Sequence, residues 1–143
     1  MRKGTTNFKF VEDNIFYEDD IKFSKTKNKF IERRLMQIFL TVGIPANLQG
    51  YYYLKDCIKL AMKDPVYLAN ISKKMYPKIA SKYSTTPSRV ERGVRNALDV
   101  AYCRGKIINL NEIFGFDVLN KLEKPTNAEF MALIADKLNL EYR

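Results

Sequence analysis

The stretch TTPSRVERGVRNALDVAYCRG, Thr85 to Gly105, decides the reading of this chain. Threonine caps a helix well, and the proline at Pro87 suits a first helical turn. The spacing predicts a helix over 87–104 that stops at Gly105. Val90, Val94, Ala97, Leu98 and Ala101 recur at about 100° per residue and form one apolar face. The opposite face carries Ser88, Arg92, Arg95, Asn96 and Asp99, with Arg89 at its upper edge and Glu91 on the other flank. That face is polar, rich in arginine and heaviest at the helix N-terminus.

Immediately upstream, Pro77 to Tyr83 reads as a short helix with Ile79, Ala80 and Tyr83 inward. Short helix, tight turn and arginine-headed helix make a helix-turn-helix over about 77–105. The planar fork of arginine suits guanine O6 and N7, and a glutamate can accept from the cytosine amino group. Arg89, Glu91, Arg92 and Arg95 are therefore candidates for base contact. Lys78, Lys82, Ser88 and Asn96 are candidates for phosphate contact, which gives affinity without sequence information. The competing reading is a structural helix pair with a solvated basic face.

Working outward, Ile31, Leu35, Ile38, Phe39 and Val42 form a helical stripe ending at Gly43. A second helix is predicted from about Asn47 to Lys63, with Leu54, Cys57, Ile58, Ala61 and Met62 on one face. A third starts at Pro65 and uses Val66, Leu68, Ala69, Ile71 and Met75 until Pro77 interrupts it. A short helix follows around Asn111 to Phe114. Thr126-Asn-Ala-Glu129 is a capping box opening a last helix with Phe130, Leu133, Ile134 and Leu138 inward. Residues 1–29 read as an N-terminal arm and linker, either a short hairpin or an extended segment, with the polar run Ser24 to Lys29 as the linker. The expectation is an all-α fold of about six helices, with a helical domain over 30–143.

Composition narrows the function. The chain has 143 residues, 46% hydrophobic, and a formal net charge of +9, which favours an anionic partner. Seven basic residues lie between Lys73 and Arg95 against one acid, Glu91. There is no histidine, which removes the commonest general base and the usual nucleophile pairs. Cys57 and Cys103 match no metal spacing and read as small core residues. No cofactor, metal site or enzymatic activity is expected. No apolar run approaches a membrane span, no secretory signal is evident, and a cytoplasmic location is expected. Tyr51, Tyr52 and Tyr53 invite a base-stacking reading, but three consecutive helical residues cannot share a face, so one or two belong to the core.

The run Thr85 to Gly105 resembles the recognition helix in the C-terminal effector domain of the sporulation initiation response regulator, the stage-zero sporulation protein A family. GIPANLQGYYYLKDCI, Gly43 to Ile58, resembles its glycine-proline loop and second helix. KPTNAEFMALIADKLNLE, Lys124 to Glu141, resembles its closing helix. The similarity runs from about Ile31 to Glu141. It implies a six-helix effector domain that binds double-stranded DNA at a TGTCGAA-like box, often as head-to-tail pairs in tandem. Position by position, Arg89, Glu91, Arg92 and Arg95 match the family's DNA-reading residues. The segment from Gly105 to about Val118 matches the surface that contacts the sigma factor of RNA polymerase.

There are departures. Asn96 stands where the family has histidine, and Tyr102 where it has tryptophan. Residues 1–30 are too short for a receiver domain, so neither Asp19 nor Asp20 reads as a phosphoacceptor. A sequence-specific transcription regulator is the leading expectation. The alternative is a receiver-less interaction module or antagonist that binds a sigma factor or competes for the family's sites.

Overall fold

The computed structural model describes residues 24–120 and 122–142, and the backbone of 8–9 and 16–17. The fold is all-α, as the periodicity predicts. Seven α-helices occur among the described residues: α1 Lys25–Val42, α2 Gln49–Lys63, α3 Val66–Ala69, α4 Tyr76–Lys82, α5 Pro87–Cys103, α6 Leu110–Phe114 and α7 Asn127–Glu141. Two two-residue strands, β1 Phe8–Lys9 and β2 Phe16–Tyr17, pair antiparallel with Phe8 opposite Tyr17. The β2 backbone approaches α4. The residues between the two strands, and Asp19 and Asp20, lie outside the described residues.

Helix α1 begins earlier than its apolar stripe. Ser24 Oγ accepts from the Lys27 backbone N–H at 3.3 Å, so the run read as a linker is largely the first turns of α1. Lysines form helix readily, and polarity alone does not stop one. The stripe itself is as expected: Ile31, Leu35, Ile38, Phe39 and Val42 are fully buried, and Gly43 closes the helix at φ +83°.

Helix α2 is the centre of the molecule. Asp56 to Met62 is buried without a break, because α4, α5 and α7 pack around it and α1 reaches it through side chains. Phe39 sits where α1, α2 and α7 meet, its ring edge-on to Tyr51 at 5.1 Å and 6.4 Å from Phe130. Tyr51 and Tyr53 are core residues, and only Tyr52 is substantially exposed.

The expected third helix is divided. Asn70 leaves helical geometry at φ −139°, and its side-chain amide donates to the Val66 carbonyl. A π-turn, Ile71–Met75, then leads into α4. Pro77 lacks an N–H and its ring crowds the carbonyl four residues back, so a widened turn ahead of it relieves the conflict. The division breaks the predicted face: Met75 is buried, but Ala69 is exposed. Cys57 is buried as expected, whereas Cys103, in the last turn of α5, is exposed. In α7, Met131 and Ala135 join Phe130, Ile134 and Leu138 in the core, and Leu133 is only partly buried.

Candidate nucleic-acid interface

The helix-turn-helix is built by local chemistry. At the end of α4 the Thr85 N–H donates to the Ala80 carbonyl at 3.0 Å and the Ser84 N–H to Ser81 at 3.4 Å. This pairing turns the chain back sharply and needs a left-handed residue, which is Ser84 at φ +52°. Thr86 then caps α5, its Oγ1 accepting from the Arg89 N–H at 3.3 Å, with Pro87 in the first turn. Val90, Val94, Ala97, Leu98 and Ala101 are all buried, the same five that the periodicity selects.

Two glycines set how closely α5 approaches the core. A Cβ at Gly50 of α2 would lie 1.9 Å from the Gly93 carbonyl oxygen, and one at Gly93 would lie 2.9 Å from the Tyr53 ring. The two backbones therefore touch where α2 and α5 cross. This is a position where only glycine fits without displacement.

With its apolar side seated there, α5 turns its other side to solvent. Ser88, Arg89, Arg92, Arg95 and Asn96 are exposed. Arg89 and Arg92 form no ion pair among the described residues. Arg95 is paired through Nη2 with Glu91 Oε2 one turn earlier, although its side chain remains 63% exposed. Glu91 is half-buried and borders a groove of about 520 Å³ beside α5, lined also by Tyr76, Arg95, Asp99, Lys124 and Asn127. Lys124 Nζ lies 2.5 Å from Asp99 Oδ1, and the Asn127 amide donates to the Tyr76 hydroxyl at 3.1 Å. Lys124 thus joins the rim of the arginine face. Sequence reasoning missed it, because a residue 25 positions from its partner gives no periodic signal.

The two lysines of α4 are partly committed. Lys78 Nζ lies 5.9 Å from the centroid of the Tyr67 ring. Lys82 Nζ bonds Asp56 Oδ2 at 2.8 Å and sits over the Tyr83 ring. Both are half-buried. Arg89, Arg92, Arg95, Ser88 and Asn96 thus share one exposed surface, with Glu91 at its edge. Lys78 and Lys82 stand on the neighbouring helix.

The segment 105–118 is fastened by Asn111, whose Oδ1 accepts from the Val118 and Leu119 N–H groups at 2.7 and 2.9 Å. Phe116 projects from it, 65% exposed, edge-on to Phe114.

No helix among the described residues is long and apolar enough to cross a membrane. A comparison with protein families matches residues 35–138 to the model described as sporulation initiation factor Spo0A C terminal.

Proposed function

The chain belongs to the Spo0A C-terminal family, the DNA-binding effector domain of a sporulation response regulator, and from that premise we propose that it reads a specific duplex sequence with α5 in the major groove. The observation that carries this is the exposed row of Arg89, Arg92 and Arg95 on a helix whose opposite face is locked in the core. Arg89 and Arg92 take guanine edges. Arg95 does so while Glu91 orients its guanidinium, and the second carboxylate oxygen of Glu91 accepts from a cytosine amino group. Lys78, Ser88 and Asn96 meet phosphates. Lys82 serves the same strand from the position in which Asp56 holds it. The target is a TGTCGAA-like box, occupied in tandem by head-to-tail copies. The exposed Phe116 supports a second contact, from segment 105–118 to a sigma factor.

Selection from random duplexes identifies the box, and mobility shifts on it test the residues. Arg92→Ala and Arg95→Ala are each expected to lose about 1–3 kcal/mol on the selected box and to relax base preference. Variants that bind the box as tightly as the parent would remove the basis for the reading. Binding by the parent no tighter than to scrambled duplex, with sigma-factor binding retained, would favour the interaction-module alternative.

A further inference from the structure

We infer that Asp56, on the central helix and away from the exposed arginine face, is the positioning residue that registers the reading helices on the core. The inference rests on the DNA-reading proposal above. Asp56 is 2% exposed, a carboxylate in the unbroken buried run of α2. A buried charge is expensive unless it is paired and hydrogen-bonded, and an apolar residue of similar size often serves stability as well or better. What the carboxylate adds is direction. Two donors converge on its Oδ2: Lys82 Nζ at 2.8 Å and the Tyr83 hydroxyl at 2.6 Å. Lys82 is the last residue of α4, and Tyr83 opens the turn into α5. Both bonds therefore fall where α4 hands the chain to the recognition helix.

The fixed position of Tyr83 is passed on by contact. Its ring packs edge-on against Tyr53, centroids 5.1 Å apart and planes at 72°. Tyr53 in turn lies against Gly93, next to Arg92 at the middle of α5. A continuous set of contacts thus runs from Asp56 through Tyr83 and Tyr53 to the helix that carries the arginines. Burial and the adjacent Asp56 carboxylate push the Tyr83 phenol far above its ordinary range, so it stays a hydrogen-bond donor at every pH at which the protein is handled. The cationic Lys59, one turn further along α2, points elsewhere, to Asn28 and Glu32 of α1.

The test uses the full chain as Asp56→Asn and Tyr83→Phe. The first keeps the shape and one acceptor; the second removes a single hydroxyl. Affinity is measured for the selected box and for a scrambled duplex, at a temperature where every variant is folded by circular dichroism. Each variant is expected to lose about tenfold in the box-to-scrambled ratio. Affinity for the scrambled duplex changes by less than about threefold in Tyr83→Phe, which keeps the Lys82–Asp56 pair, and by more in Asp56→Asn, which also releases the phosphate-facing Lys82. Amide shifts and hydrogen exchange of Arg92 and Gly93 are read alongside, without DNA, and are expected to change in both variants. A residue that only stabilises the fold would lower the unfolding midpoint and leave the ratio and those amides at parental values, and that result overturns the inference. A parent that fails to discriminate between the duplexes overturns the DNA reading instead, and the amides still decide whether Asp56 positions α5.

Discussion

The contact between Gly50 and Gly93 gives a test of the packing that supports the arginine face. In Gly50→Ala the new methyl lands 1.9 Å from the Gly93 oxygen and 2.6 Å from its carbonyl carbon. Neither atom can swing aside, because both belong to the backbone of α5. To reach ordinary van der Waals separation the two helices must part by more than about 1 Å, and a gap of that size forfeits a quarter to a half of the dispersion energy along the seam. That seam includes Tyr53 and Ala97, both buried. Overpacking costs about 1–3 kcal/mol, and a backbone obstruction belongs at the upper end. Alanine's better helix propensity returns at most about 1 kcal/mol. The net is a loss of about 2 kcal/mol, equivalent to a fall in Tm of roughly 8 °C. Gly93→Ala meets the Tyr53 ring edge at 2.9 and 3.0 Å, a side chain that can yield a few tenths of an ångström. Its net effect is expected to be within about 1 kcal/mol of zero. Thermal and urea unfolding of the two variants measure both. A Gly50→Ala variant that melts at or above the parent, or below which Gly93→Ala falls, would show that the two backbones are not in contact there.

Three further outcomes are expected. Lys78→Ala should weaken selected and scrambled duplexes alike and reduce the slope of log K against log salt by about 1, measured by titration at several salt concentrations. Ser84→Gly should raise the unfolding free energy by about 0.5–1 kcal/mol, because glycine adopts the left-handed region without penalty; a Tm below the parent's would contradict this assignment of the turn. Burial raises the carboxyl pKa of Glu141, but hydrogen bonds from Arg34 at 3.1 and 3.2 Å and from Lys137 outweigh it and hold the group below its ordinary value. A folded pKa below the unfolded one stabilises above the unfolded value, about 4.3, and that contribution is lost as pH falls through the folded value. Arg34→Ala should therefore lower Tm at neutral pH and converge with the parent once the pH has fallen below the folded pKa of Glu141, as a pH series of melting curves will show.

What was legible in the sequence is what repeats locally. The buried side of α5 follows from a 3.6-residue period, and the ends of α5 and α7 follow from Thr86 and the Thr126–Glu129 box, whose reciprocal bonds are both present. The exposed arginines follow from the same period, since fixing the apolar face fixes its opposite. What was not legible depends on contacts between distant segments. Ser24 reads as linker until its side chain is seen capping α1. The π-turn before Pro77 is one of several ways a chain can absorb a missing N–H. Asp56 and Lys59 look like solvent-facing charges on α2, and only the helices wrapped around them make them interior. The pairing of Arg95 with Glu91 was available as a four-residue spacing on one helix, but the commitment of Lys82 to Asp56 was not.

The C-terminal end of α7 packs against α1. Arg34 of α1 bonds Glu141 of α7, and the Phe30 ring lies over that of Tyr142 at 6.2 Å. The opposite end of α7 touches α5 through Asn127 and the Glu91 carbonyl. Across 15 residues that is roughly 22 Å of helix. A fluorophore or surface tether attached next to Tyr142 would hold the molecule by the end of α7 farthest from the arginine face of α5.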